Sequence, residues 1–183
     1  MSVGLETQQN TEEIYRGRVI RLRRDTVQVQ NGATAIREVI EHNGGVGVAA
    51  LTEQNEILLV RQHRYPYDEI LTEIPAGKRE GNEDPLICGK RELREETGAL
   101  GKDYVSLGNL YPTPGYCNEV IWLFLCRVEA VGDTELDPDE FIEVERVPLD
   151  RAVQMVMNNE IPDAKTQIAI LKAAEMVRTG AFE

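Results

Sequence analysis

The segment from Gly77 to Ala99 limits the fold of this chain more than any other part of its sequence. Asp84 is a candidate N-cap, and Pro85 suits the first turn of a helix, where its missing N–H is not needed. Gly98 suits the left-handed residue that often follows the last turn of a helix. The segment therefore predicts a loop that opens at Gly77 and a helix that ends just before Gly98.

Carboxylates cluster on one side of this predicted helix. Glu92 and Glu96 are four residues apart and Glu95 is three after Glu92, so all three can converge on one patch. Crowded carboxylates repel one another unless a cation lies among them. Oxygen ligands of this kind suit Mg²⁺ or Mn²⁺. The alternative interpretation is a solvent-facing helix with ordinary ion pairs, such as Arg91 with Glu95.

The overall composition is that of an ordinary folded protein with an acidic surface. The chain has 183 residues, 42% of them hydrophobic, and a formal net charge of −12. The length suits one domain with a small appendage. The acidic balance disfavours nucleic acid and anionic membranes as partners, because both need a basic footprint. No apolar run approaches the ~20 residues of a membrane span, and the first residues lack the apolar segment of a secretory signal, so we expect a cytoplasmic protein.

The sequence predicts three consecutive segments. Residues 1–13 are expected to be a flexible N-terminal tail. Residues 14–42 are expected to form a β-hairpin, which turns at residues 30–33 and is a candidate dimerisation element. Residues 43–183 are expected to form the main domain.

Hydrophobic patterning in the main domain predicts strands around one central helix, with two helices after them. Trp122 is expected in the core, and Asp163 is expected to cap the last helix. This arrangement is an α+β fold. The strands are predicted at 46–51, 56–61, 70–74, 105–110, 120–128 and 142–147, and the later helices at 149–158 and 163–178.

The spacing of the central segment resembles that of the Nudix hydrolases. Gly77, Glu83 and the run 91–99, which reads Arg-Glu-Leu-Arg-Glu-Glu-Thr-Gly-Ala, match the Nudix box at every defining position. A chance match is on the order of 10⁻⁶. The resemblance implies a Nudix-type α/β/α sandwich with a mixed central sheet, to which the N-terminal β-hairpin is a small appendage. It also implies hydrolysis of a nucleoside diphosphate linked to another group.

Two features beside the box resemble the ADP-ribose pyrophosphatase branch of the family. They are the run 73–77, which reads Glu-Ile-Pro-Ala-Gly, and Pro114, which lies 15 residues after Ala99. This likeness implies hydrolysis of ADP-ribose to AMP and ribose 5-phosphate with Mg²⁺, for which Mn²⁺ is a substitute. Another nucleotide sugar, such as GDP-mannose, is the alternative substrate. A non-catalytic ADP-ribose sensor is less favoured, since the box keeps its glutamates.

The resemblance also implies roles for the site residues. Glu92 and Glu96 would bind the metal, with Glu95 supporting another ion and the Ala76 carbonyl completing the coordination. Glu140 joins these three glutamates in the catalytic set, as general base or extra metal ligand. Other carboxylates of the same acidic loop are alternatives to it, namely Glu135, Asp137 and Asp139. The alternative interpretation is that this acidic loop is only solvated and has no catalytic role.

The residues expected to bind substrate are Arg37, Arg64, Glu73, Pro114, Gly115 and Glu119. Both arginines resemble family residues that contact phosphate, which a guanidinium can bind through two hydrogen bonds, although each is equally well explained as a surface residue. Glu119 would contact the distal ribose or the metal region. The candidates for stacking on adenine are Tyr15, Tyr65 and Tyr111. The branch often binds adenine between subunits with swapped N-terminal strands, so a homodimer is expected.

Overall fold

The computed structural model describes residues 4–138 and 140–183 and divides them into two units. The first unit holds residues 4–44 and 111–120. The second holds residues 45–110 together with the described residues from 121 to 183. The N-terminal strands and the segment that contains Pro114 thus belong to one unit, and the segment from Gly77 to Ala99 belongs to the other.

The first unit is built on an antiparallel sheet with strand order β1-β2-β3: β1 (Thr7–Arg16), β2 (Ile20–Gln28) and β3 (Thr34–His42). The turn predicted at residues 30–33 joins β2 to β3, and Gly32 has a φ of 83° there. Backbone hydrogen bonds tie residues 116 and 118 to β3, since Ile40 N–H donates to Tyr116 O at 2.7 Å and Asn118 N–H donates to Ile40 O at 3.0 Å.

The structure differs from the predicted tail over residues 7–13, which belong to β1. This strand is exposed along its whole length, so it shows no apolar alternation by which the sequence could reveal it. It is held by the backbone ladder to β2 and by ion pairs such as Glu12 with Arg24 at 2.6 Å. The predicted hairpin is therefore a three-stranded sheet. Residues 1–3 of the predicted tail lie outside the described residues.

The second unit contains a mixed sheet with strand order β10-β5-β4-β9-β8, in which β4 and β9 are parallel. Its strands are β4 (Gly45–Leu51), β5 (Glu56–Arg64), β6 (Glu69–Glu73), β7 (Ala76–Lys78), β8 (Ala99–Leu110), β9 (Ile121–Val131) and β10 (Glu143–Pro148). The neighbouring strands β4 and β5 pair only at Leu51 and Ile57. Beyond that point β7 pairs with β4 and β6 pairs with β5. The link between β6 and β7 therefore enters the sheet where β4 and β5 separate.

Helices cover both faces of this sheet. Alternate residues of β4 point to opposite faces: Ala49 and Leu51 pack in a core with α2 (Leu149–Met157) and α3 (Ala164–Arg178), whereas Val48 and Ala50 pack with Leu93 of α1 (Pro85–Thr97). The α/β/α sandwich with a mixed sheet is therefore confirmed.

The predicted ends of the helices are confirmed. Asp84 accepts hydrogen bonds from the backbone N–H groups of Leu86 at 2.9 Å and Ile87 at 3.1 Å, and Asp163 caps α3 through the N–H of Thr166 at 2.9 Å. Trp122 was expected in the core, but it is only partly buried. The Arg79 guanidinium lies 4.7 Å from the centre of the Trp122 ring.

Among the described residues, no helix is both long enough and apolar enough to span a lipid bilayer.

The close approach at the end of α1 gives a stability prediction. Gly98 has a φ of 69°, and a Cβ added to it would lie 2.2 Å from the backbone oxygen of Gly132. We expect Gly98→Ala to lower the free energy of unfolding by about 1–3 kcal/mol, because the alanine is strained and also collides with backbone. Urea denaturation followed by circular dichroism measures this change.

Gly132→Ala is the matched control, because a Cβ there meets only Gly98 O at 3.8 Å. Equal losses in the two variants would show that Gly98 has no special backbone requirement.

Candidate active site

Of the box glutamates, Glu96 is buried and Glu92 is partly buried where α1 packs on the link between β6 and β7. Glu96 is 4% exposed, and its Oε2 accepts a hydrogen bond from Ala76 N–H at 2.9 Å. The side chain of Glu92 is 13% exposed, whereas that of Glu95 is 34% exposed. The spacing on the helix thus turns Glu92 and Glu96 inward toward the sheet and leaves Glu95 nearer to solvent.

Gly77 is explained by the space that Glu92 needs. A Cβ added to Gly77 would lie only 1.9–2.1 Å from the carboxylate atoms of Glu92. A side chain at this position would force the Glu92 carboxylate to move, since real Cβ atoms do not approach other heavy atoms so closely. The sequence predicts that Gly77 opens a loop. In the structure, Gly77 also lets the Glu92 carboxylate lie directly against the backbone.

Arg91 binds three glutamates of the box segment at once. Its Nε and Nη2 donate to Glu83 at 3.1 and 3.0 Å. Its Nη1 lies 2.9 Å from Glu95 Oε2 and 2.8 Å from Glu92 Oε1. The hydrogen bonds from Arg91 lower the pKa of Glu83 to about 2. The ion pair of Arg91 with Glu95 that the sequence suggests is therefore present, and the guanidinium lies where Glu92 and Glu95 converge.

Burial and mutual repulsion disfavour the charged forms of the inward-facing glutamates. Burial raises the pKa of Glu96 to about 8; the Ala76 N–H opposes this shift, and the charges of Glu92 and Glu140 add to it. Burial also raises the pKa of Glu92. Arg91 opposes this shift, whereas the charges of Glu95 and Glu140 add to it. A bound cation would favour the charged form of both groups.

The donor set fits a hard divalent cation by its chemistry. Glu92, Glu95, Glu96 and the Ala76 carbonyl all offer oxygen atoms, which Mg²⁺ and Mn²⁺ prefer. Within residues 4–138 and 140–183, no three His, Cys, Asp or Glu side chains are grouped closely enough to hold an ion as they stand. Because Arg91 Nη1 lies between Glu92 and Glu95, binding of an ion by these two glutamates requires their carboxylates to turn away from it.

The acidic loop after β9 is tied to the end of α1. Gly132 N–H donates to Gly98 O at 2.8 Å, Glu135 N–H donates to Glu95 O at 2.9 Å, and the side chains of Glu135 and Arg94 form an ion pair. In this loop, the charge of Glu140 contributes to the raised pKa values of Glu92 and Glu96. Asp139, one of the predicted alternatives, lies outside the described residues.

Arg64 and Glu73 are the last residues of β5 and β6, and their side chains bond although the strand register pairs Arg64 with Glu69 and Glu73 with Val60. Arg64 donates from Nε and Nη2 to the two carboxylate oxygens of Glu73 at 2.6 and 2.7 Å. Glu73 is only 1% exposed and also bonds Lys165 on α3. Although burial opposes it, these two cations lower the pKa of Glu73. Glu73, predicted to bind substrate, is therefore placed to hold Arg64. Lys165 was not predicted from the sequence, because its contact with Glu73 spans 92 positions and leaves no periodic signal.

The other residues expected to bind substrate lie in the first unit, whereas the box lies in the second. Arg37 donates from Nε to Glu6 Oε2 at 3.0 Å, and Glu119 Oε1 lies 3.2 Å from His42 Nδ1. Pro114 and Gly115 form a turn closed by backbone hydrogen bonds to Thr113 O. The tyrosines considered for adenine are all exposed, namely Tyr15, Tyr65 and Tyr111.

Two family models match the chain side by side. The model described as the NUDIX domain matches residues 41–168. The model described as the nucleoside diphosphate sugar hydrolase N-terminal domain matches residues 6–40.

Relatives with this organisation carry several names. The chain is 40% identical over 161 residues to the ADP-ribose pyrophosphatase of Bacillus subtilis (strain 168), with 87% of each chain covered. It is also 40% identical over 162 residues to the methanol dehydrogenase activator of Bacillus methanolicus, covering 87% of this chain and 88% of that one. A GDP-mannose pyrophosphatase of Salmonella paratyphi B is 32% identical over 166 residues, covering 84% and 78% of the two chains.

A solved structure supports the same fold. The crystal structure of an ADP compounds hydrolase superposes with a TM-score of 0.86 and covers 98% of both chains at 19% sequence identity. The same family is indicated by the box residues and by the sequence matches over most of the chain. The position of the box helix, against the link between β6 and β7, agrees with this. The chain belongs to the Nudix hydrolase family.

Proposed function

We propose that this enzyme hydrolyses the pyrophosphate bond of ADP-ribose to AMP and ribose 5-phosphate. The observation that carries the proposal is the seating of Glu92 and Glu96 against Ala76 and Gly77, in the unit that also holds the Arg64 guanidinium. This arrangement provides oxygen donors for a cation and a cationic group for phosphate. The choice of ADP-ribose is supported by the name of the Bacillus subtilis relative at 40% identity.

Nudix hydrolases generally use a divalent metal ion, and we propose Mg²⁺, with Mn²⁺ as a substitute. The donors would be Glu92, Glu95, Glu96 and the Ala76 carbonyl. When bound, the ion polarises the phosphoryl oxygens and lowers the pKa of a coordinated water. Arg91 would keep Glu83 paired and the helix side chains oriented while Glu92 and Glu95 turn to the ion.

Residues outside the box helix are proposed to accept the proton and to bind the phosphate. Glu140 accepts a proton from the attacking water, whose oxygen bonds to one phosphorus as the bridging P–O bond breaks. The bridging oxygen leaves with the other phosphate, so the two products are phosphate monoesters. Arg64 has its Nε and Nη2 on Glu73, and its Nη1 is the edge that we assign to a substrate phosphate.

The first unit contains the other residues that we propose as substrate contacts. Arg37, Pro114, Gly115 and Glu119 are proposed to contact the substrate outside the pyrophosphate. A homodimer formed through residues 14–42 is supported by exposed apolar side chains in this segment, which include Tyr15, Val19 and Ile36. The cytoplasmic location stays a prediction.

GDP-mannose is the second candidate substrate, because GDP-mannose pyrophosphatases are also among the relatives, at 32% identity. Both substrates need the same attack on a pyrophosphate. The box therefore does not distinguish them, and the difference lies in how the nucleoside and sugar are held.

A substrate panel tests the function. We expect ADP-ribose with Mg²⁺ to give AMP and ribose 5-phosphate with a kcat/KM at least about tenfold above that for GDP-mannose, a difference of roughly 1.4 kcal/mol in transition-state binding. Chromatography of the products over time measures this ratio. Faster turnover of GDP-mannose would replace the proposed substrate, and tight ADP-ribose binding without any hydrolysis would indicate a sensor.

Glu96→Gln tests the metal site. We expect kcat to fall by about 10²–10³-fold, because the variant loses a charged oxygen donor for the ion. We also expect Mg²⁺ to raise the melting temperature of the native protein more than that of the variant, since ligand binding to the folded state stabilises it. Steady-state kinetics and thermal melts with and without Mg²⁺ measure the two effects.

Glu175→Gln on α3 is the control, because Glu175 is exposed and pairs only with Arg178 among the described residues. An active Glu96→Gln enzyme with the native metal response would remove Glu96 from the ligand set.

Glu140→Gln tests the proposed base. We expect kcat to fall by about 10²–10⁴-fold because the amide cannot accept the proton. We expect the Mg²⁺-induced rise in melting temperature to persist, which separates a base from a metal ligand. Glu135→Gln in the same loop should leave kcat within about threefold, since it loses only an exposed ion pair with Arg94. A larger loss in Glu135→Gln than in Glu140→Gln would transfer the role.

A further inference from the structure

The first turn of α3 is bonded to the strand segment that leads into the box. Lys165 Nζ bonds the Glu73 carboxylate and lies 3.0 Å from Asp163 Oδ2, which caps the helix. Thr166 Oγ1, on the same turn, accepts a hydrogen bond from Ile74 N–H at 3.0 Å. Residues 163–166 thus contact both the side chain of Glu73 and the backbone that follows it.

Burial makes the charge on Lys165 significant. The side chains of Lys165 and Glu73 are only 11% and 1% exposed. An unpaired carboxylate at such a site is strongly unfavourable, so it must be neutralised locally. Two cations share this task, because Glu73 bonds both Lys165 and Arg64.

The second cation helps to hold the carboxylate that orients Arg64. Lys165 Nζ bonds Glu73, and Arg64 bonds both oxygens of the same carboxylate through Nε and Nη2. Asp163 Oδ2 accepts from Thr166 N–H at 2.9 Å and from Thr166 Oγ1 at 2.6 Å, which fixes it beside Lys165. The guanidinium of Arg64, with its side chain 37% exposed, therefore keeps a fixed orientation toward an anion.

We propose that Lys165 is a positioning residue for the phosphate site: by bonding Glu73 from α3, it holds the carboxylate that orients Arg64 toward the substrate pyrophosphate. The inference rests on the proposed function through the role of Arg64. Lys165 itself acts through Glu73 and does not contact the substrate.

Steady-state kinetics with ADP-ribose and Mg²⁺ provide the first test. Lys165→Met removes the charge at similar length, and we expect KM to rise about tenfold with kcat within about threefold, because a phosphate contact made in both ground and transition states is weakened. Lys165→Arg restores the charge and should recover at least half of the loss. Lys172→Met is the matched control on the same helix; Lys172 bonds the Leu107 carbonyl and should leave KM unchanged.

A double-mutant cycle separates positioning from general damage. Arg64→Gln should raise KM by itself, and Lys165→Met should add less than about twofold in that background, since its effect passes through Arg64. Full additivity of the two changes would overturn the proposal, as would a native KM in Lys165→Met.

A spectroscopic test does not depend on the substrate. The Nε–H signal of Arg64 in a ¹H–¹⁵N spectrum, identified by its absence in Arg64→Gln, should shift or broaden in Lys165→Met and stay unchanged in Lys172→Met. If the native enzyme does not hydrolyse ADP-ribose, this signal still decides whether Lys165 orients Arg64. Lys165→Gln, which keeps a donor without the charge, is measured beside it and decides the result if the methionine variant does not fold. An unchanged Arg64 signal in a folded Lys165 variant would overturn the inference.

Discussion

The hydrogen bond from the Ala76 N–H to Glu96 joins the two parts on which the site depends. One part is a helix whose ends are fixed by Asp84 and Gly98. The other is a short link that enters the sheet where β4 and β5 separate after a single paired position. Because Gly77 has no side chain, Glu92 lies on the same backbone. Burying carboxylates is costly, and a divalent metal ion of the kind that Nudix hydrolases generally use would offset this cost.

Arg91 gives the site an internal cation. Its contacts with Glu83, Glu92 and Glu95 offset repulsion among charges that α1 brings together. A second balance operates at Glu73, where one buried carboxylate is shared between Arg64 and Lys165. In both clusters, more than one nitrogen of an arginine bonds a carboxylate. Several such bonds fix the plane of a guanidinium better than a single bond does.

The parts of the site that were predicted from the sequence are those encoded locally. The helix caps, the convergence of Glu92 and Glu96, and the pairs of Arg91 all depend on residues within about four to eight positions of each other. Strand β1 was not predicted, because its residues are polar and exposed and its order comes from pairing with β2. The role of Glu73 as a partner of Lys165 was not predicted either, since a contact across the fold has no counterpart in spacing.

The attachment of the acidic loop to α1 has a mechanical consequence. Gly132 and Glu135 are bonded to the carbonyls of Gly98 and Glu95, so the loop begins on the same turn of helix that carries the box glutamates. A shift of α1 would carry the start of the loop with it. Arg64, by contrast, is anchored through Glu73 to the first turn of α3, which packs on the opposite face of the sheet. The box glutamates and Arg64 are thus held by different helices, and both helices are bonded to the short link that follows β6, since Thr166 accepts from Ile74 N–H and Glu96 accepts from Ala76 N–H.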